Sequence, residues 1–335
     1  MVPMWLILGV TVALLVLWLA LAAWVVGARV KHDRLVRLRR RDALLLELEP
    51  NAARWGRRRL RRTAGGDPTR GAAIAARELV RREGPRLRRL AQQPNHHDRA
   101  HALRVLARGG SRFAFHLLEN AYADGTPDTR AAVVAIAAEQ NRQEADVLLL
   151  DILVTGGHPR SRTATELTPR APRLVPELIA LTAHDDAEVR YWALMLLRRA
   201  ARDERVKAAA VERSVDPAGT VRGAAARVLG ASRAQDVQHV LRALLIDDVF
   251  YVRAHAARAG GEIGAESLAG DIAALLADTN WWVRSAAKES LFLLGESGLD
   301  AATEMLKNDD GFARDSAREV VSAFRRESPP LELAG

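Results

Sequence analysis

Nine histidines, His32, His96, His97, His101, His116, His158, His184, His239 and His255, are the side chains best suited to hold a metal or move a proton. His97 and His101 stand four residues apart, the spacing that places two imidazoles on one helix face. A zinc hydrolase built on such a pair needs a glutamate directly after the first histidine, and Asp98 stands there instead. Solvated polar histidines are the better account. The chain has no cysteine, so thiolate metal sites and disulfides are excluded. No glycine-rich phosphate loop, dinucleotide fingerprint or nucleophile elbow occurs. The expectation is no catalytic, cofactor-binding or metal-binding residue, and a protein that is not an enzyme.

The elements around these residues are helical. Hydrophobic residues make up 49% of the chain and aromatics only 5%, so the apolar mass is Ala, Leu and Val, which favours closely packed helices. The net charge of +9 is unevenly placed. Residues 1–62 hold 13 basic and 4 acidic side chains, whereas residues 63–335 hold 37 of each. The basic excess is therefore no evidence for nucleic acid. Within the neutral part, residues 63–112 carry +7 and the remainder −7.

The strongest internal signal is a repeat. Five segments align: DDAEVRYWALMLL, DPAGTVRGAAARVLG, DDVFYVRAHAARAGG, DTNWWVRSAAKESLFLLG and DDGFARDSAREVVSAF. Each has Asp, a short turn, Val-Arg or Ala-Arg, then Ala three residues on. Arg190, Arg222, Arg253, Arg284 and Arg314 recur at intervals of 32, 31, 31 and 30, and the same period runs back through Arg160, Arg130, Arg99 and Arg70. Asp can cap a helix by accepting a backbone N–H. Val before the Arg, Ala three after it and Leu or Val four further on give one apolar stripe. The Arg leaves the first turn, within reach of an Asp in the next repeat. Gly-containing turns at Gly260, Gly261 and Gly264, and at Gly295 and Gly298, separate these helices from apolar-periodic segments between them. The unit is a helix–turn–helix of about 31 residues, stacked side by side.

This pattern resembles the HEAT-like repeats of the bilin-lyase type over about residues 67–325. The resemblance implies an all-α solenoid of helical hairpins, here assigned to residues 63–327. Residues 155–172, rich in Pro, Gly and Thr, depart from it and are expected to be an irregular insertion. HEAT-like hydroxylases hold two irons with paired His-Glu dipeptides, and none occurs here. The bilin lyases supply an enzymatic alternative, and the basic early repeats a nucleic-acid-binding one. The fold, however, carries no chemistry by itself. A non-catalytic scaffold that binds other proteins is the leading reading.

Seven aromatics lie within four residues of a repeat Arg: Tyr191, Trp192, Phe250, Tyr251, Trp281, Trp282 and Phe312. In a stack, equivalent positions fall in line, so these residues are candidates for a partner-binding ribbon, the competing role being gap filling between repeats.

Ahead of the repeats, residues 4–26 form a run of 23 residues without a charge. As a helix it would span about 35 Å, against about 30 Å of hydrocarbon. Trp5 and Trp24 lie near its two ends, and Arg29, Lys31, Arg34, Arg37, Arg39, Arg40 and Arg41 follow it. A single transmembrane helix is expected, with the N-terminus outside and the rest cytoplasmic at a bacterial-type cell membrane. Residues 28–62 read as a basic juxtamembrane linker, in which Arg54, Arg57, Arg58, Arg59, Arg61 and Arg62 are candidates for lipid headgroups. Residues 328–335 read as a flexible tail.

Overall fold

A computed structural model of the chain describes residues 68–93 and 96–327. The expected membrane helix at 4–26, the linker at 28–62 with its six candidate headgroup arginines, and the tail at 328–335 lie outside the described residues. Among the described residues there are sixteen α-helices and no strand, and no helix is long and apolar enough to cross a membrane. They fall into two compact units, one reaching Ala121 and the other starting at Tyr122.

The first unit holds α1 (Pro68–Leu90), α2 (His96–Arg108) and most of α3 (Ala114–Ala123). Helix α1 is kinked at Glu83 (φ −116°, ψ 16°), two residues before Pro85. The proline has no N–H for the carbonyl one turn earlier, and its ring crowds that carbonyl. Past the end of α2, Gly109 packs against α1 so closely that a Cβ would come within 2.8 Å of the Ala76 carbonyl oxygen. Leu87, Leu103, Leu106 and Leu118 are buried in this unit.

The second unit is a series of helical hairpins: α4 (Pro127–Ala138), α5 (Gln143–Thr155), α6 (Arg160–Leu167), α7 (Val175–Leu181), α8 (Ala187–Leu197), α9 (Glu204–Arg213), α10 (Gly219–Ser232), α11 (Gln238–Leu245), α12 (Phe250–Glu262), α13 (Ala269–Ala274), α14 (Trp281–Leu293), α15 (Glu296–Glu304) and α16 (Gly311–Glu327). Helices α8, α10, α12, α14 and α16 lie side by side in chain order, and the alternate helices back them as a second layer. The repeat Arg is the fourth residue of each of these five helices. The stripe read from the sequence faces the core. Val189, Val221, Val252 and Val283 are fully buried, as are Ala193, Ala225, Ala256 and Ala287. Each buried Val contributes about 1.5–3 kcal/mol, and each Ala lets the neighbouring helix come close. Caps start several helices, with the side chains of Asp186, Asp203 and Asn280 accepting from the backbone amides of Glu188, Arg205 and Trp282.

Residues 155–172 depart from the expected irregular insertion. Helix α6 occupies 160–167, and a short 3₁₀ turn follows at Ala171–Arg173. The prolines suggested a loop, yet Pro159 stands just ahead of α6, and Pro169 and Pro172 lie beyond it. A helix tolerates proline at both places. The segment supplies a repeat helix of only two turns.

Candidate functional site

The periodic arginines do structural work first. The Arg190 guanidinium donates to both carboxylate oxygens of Asp216, each at 2.8 Å. Arg222 does the same to Asp247 at 2.6 and 2.8 Å, and Arg253 to Asp278 at 2.7 and 3.0 Å. The remaining Nη1 of each arginine donates to carbonyls of the turn ahead of its own helix, as Arg222 does to Asp216 and Pro217. Each aspartate in turn accepts from the backbone amide two residues on, at Ala218, Val249 and Asn280. One carboxylate therefore closes its own turn and receives the arginine of the preceding repeat.

The side chains of these three aspartates are nearly buried, Asp216 to within 1%. Burial alone would raise their carboxyl pKa values. The arginine hydrogen bonds, the backbone amides and the guanidinium charges outweigh it and hold all three below the ordinary value. Arg284 has no such partner among the described residues. The position six residues before Arg314 is Asn308, which caps Asp310 but brings no charge, and Arg284 instead lies over the Phe312 ring at 5.4 Å. At the other end His184 holds the equivalent place, and Arg160 pairs with Asp186 and Glu188.

The candidate aromatics are brought partly together. Tyr191, Tyr251 and Trp282 line one hollow of about 310 Å³, with Gly223 and Ala224 of α10 also in its wall. Phe250 packs edge-on against both Tyr251 and Trp282, at centroid distances of 5.4 and 6.0 Å. Trp192 stands edge-on to Tyr191, and its indole N–H reaches Glu188. Trp281 and Phe312 are each 70% exposed. The Trp281–Trp282 pair thus divides, one ring to solvent and one to the hollow.

Sequence reasoning missed the charged half of this place. A second hollow of about 440 Å³ is lined by Arg198, Arg227, Arg258, Glu262, His255 and Trp282, and Arg227, His255 and Trp282 border both hollows. Arg258 lies over the Trp282 ring at 5.5 Å and is bonded to Glu289 of α14. The His255 ring meets Trp282 edge-on at 5.4 Å. Burial, and after it the charges of Arg227, Arg258 and Arg198, push the His255 pKa down to about 4, so the imidazole is neutral at pH 7. One signal was available: Arg227 and Arg258 each stand five residues after their repeat Arg.

Residues 175–259 and 247–322 match the family model for HEAT repeats. Residues 175–322 carry HEAT repeats. The match is to HEAT repeats as a class and does not single out the bilin-lyase type. The solved structures similar to the chain include the following three. One is an engineered protein, 16% identical with a TM-score of 0.40, covering 80% of this chain and 91% of that one. Another is human deoxyhypusine hydroxylase in complex with glycerol, 18% identical with a TM-score of 0.32, covering 76% and 98%. The third is the Escherichia coli protein YibA, 19% identical with a TM-score of 0.43, covering 75% and 96%. No curated protein matches the chain.

The two hollows lie across α8, α10, α12 and α14, inside the HEAT-repeat stretch. Among the described residues no group of three or more His, Asp or Glu is placed to hold a metal ion; the His97 side chain lies outside them.

Proposed function

We propose that the chain is a membrane-anchored, cytoplasmic HEAT-repeat adaptor that captures another protein on the aromatic face of α8–α14 and turns over no substrate. One observation carries this reading. Trp281 and Phe250 are large apolar side chains left partly or largely exposed next to Trp282 and Tyr251, which line an aromatic hollow, and Phe312 is exposed on α16. A partner would bury the ring surface that the fold leaves in water. The anchor half rests on the uncharged run 4–26 and the seven basic residues that follow it.

The two halves are tested separately. Full-length chain should stay with the membrane through alkaline extraction, and deletion of residues 4–26 should release it. Crosslinking in intact membranes should yield a discrete protein adduct. Phe250→Ala with Trp281→Ala should remove that adduct while helical circular dichroism stays as in the wild type. An undiminished adduct would place the binding surface elsewhere, and lost helicity would assign those rings to packing.

A further inference from the structure

We infer that the paired hollows across α8, α10, α12 and α14 receive an acidic peptide segment bearing an apolar side chain. This rests on the adaptor reading and names its partner's chemistry. The two hollows differ in character and share a border. Tyr191, Tyr251 and Trp282 give the first an aromatic wall. Its floor is open because α10 has glycine there: a Cβ on Gly223 would sit 3.3 Å from the His255 ring and 3.5 Å from Tyr251. The second hollow presents three guanidinium groups, Arg198, Arg227 and Arg258, against the carboxylate of Glu262. Arg258 is engaged by Glu289. Arg198 and Arg227 have no carboxylate partner among the described residues, whereas Arg190, Arg222 and Arg253 of the same helices are each paired with one.

An unspent cationic pair beside an aromatic hollow recognises a ligand with negative charge and apolar bulk adjacent to one another. His255, neutral at physiological pH, adds ring surface and a hydrogen-bonding edge rather than another charge. The surroundings select the kind of anion. Residues 113–335 hold 26 basic and 33 acidic side chains, a net −7. A long polyanion such as nucleic acid would run off the arginines onto repelling flanks, whereas a peptide with a few carboxylates next to a Leu or Phe presents its charge locally. The site spans four helices, which suits an extended segment better than a compact metabolite.

The experiment uses full-length chain in detergent micelles and fluorescence anisotropy. The probes are a fluorescein-labelled peptide of Glu-Asp pairs separated by single Leu and Phe residues, its Lys-for-acid counterpart, and a labelled single-stranded oligothymidine. The acidic peptide should bind saturably with a micromolar Kd, and the other two should bind at least tenfold more weakly. Arg198→Glu with Arg227→Glu should weaken the acidic peptide at least tenfold and raise affinity for the basic one. Arg227→Gln, which keeps the helix surface neutral, should weaken the acidic peptide about threefold. Absence of acidic-peptide binding, tighter binding of the oligothymidine, or indifference to the arginine substitutions would each overturn the inference. A membrane crosslink that survives Arg198→Glu with Arg227→Glu would leave the adaptor reading standing while this one fell.

Discussion

The second unit buries its carboxylates in two different ways. In the regular repeats each arginine comes first in the chain and its aspartate 25 or 26 residues later, at the turn before the next stacked helix. Around α5 the order is reversed. Asp146, four residues into α5, precedes both of its arginines, with Arg170 24 residues on at 2.6 Å and Arg173 27 residues on at 2.8 Å. Arg170 also donates to the carbonyls of Gln140 and Ala138. The Asp146 side chain is only 4% exposed, as deeply placed as the ladder aspartates. What is common is the physical requirement that a carboxylate closed off from water must meet a guanidinium. Polarity along the chain and position within the hairpin are free to vary.

Lowering the pH should break both arrangements together, and it carries the largest effect. Asp146, Asp216, Asp247 and Asp278 all have folded-state pKa values below the ordinary 3.8. In each, burial pushes the value up and the arginine hydrogen bonds pull it further down. A carboxyl depressed on folding contributes its full stability above the unfolded-state value, and that contribution disappears as the pH falls through the folded-state value. The second unit should therefore keep constant stability from neutrality to about pH 5 and lose it steeply below about pH 4. Thermal unfolding followed by circular dichroism from pH 7 to 3 measures this. A flat profile down to pH 3 would mean that these pairs contribute little.

The next effect separates the two regions. Asp146→Ala strands Arg170, whose side chain is only 9% exposed, and frees Arg173 as well. The cost should be about 3–5 kcal/mol, seen as a lower urea midpoint. Asp216→Asn keeps the cap on Ala218, because an amide oxygen can accept that N–H, but it removes the charge opposite Arg190 and sets an amide NH2 where Oδ2 had accepted from the Arg190 Nε. It should cost about 2 kcal/mol. If the ladder substitution proved the costlier one, the double pairing at Asp146 would be redundant and the contrast would reverse.

The two regions were also unequally legible. The ladder could be read because its arginine sits at a fixed place in a helix whose Val and Ala neighbours keep the core register, so spacing and stripe point the same way. Arg160 kept the spacing but opens α6 as its first residue, without the Val-Arg signature. Prolines that flank a two-turn helix looked like a loop, and the tertiary pairing of Arg170 and Arg173 leaves no periodic trace. The groove was half readable. Tyr251 and Trp282 each stand two residues before their repeat Arg, but Arg198 stands eight residues after its own whereas Arg227 and Arg258 stand five after theirs. Which of those arginines meet depends on the stagger between helices, and a sequence does not state it.

The smallest expected effect extends the ladder by one rung. Arg284 already makes the turn contacts its counterparts make, donating to the carbonyls of Asp278 and Thr279 at 2.7 and 3.2 Å. Asn308 already caps its own turn through Asp310 at 2.9 Å, as the ladder aspartates do. Only the negative charge is absent. Asn308→Asp should let Arg284 leave the Phe312 ring for a paired carboxylate, with a net gain of about 1 kcal/mol after loss of the ring contact. The acidic neighbours Asp309 and Asp310 are no obstacle in principle, since Asp247 works beside Asp248. The gain should appear as a higher urea midpoint at pH 7 and shrink as the pH falls below about 4 and the new carboxyl takes up its proton. A gain undiminished at pH 3 would trace to helix capping rather than to the ion pair. No gain at either pH would mean that the ladder works only between the helices that now share it.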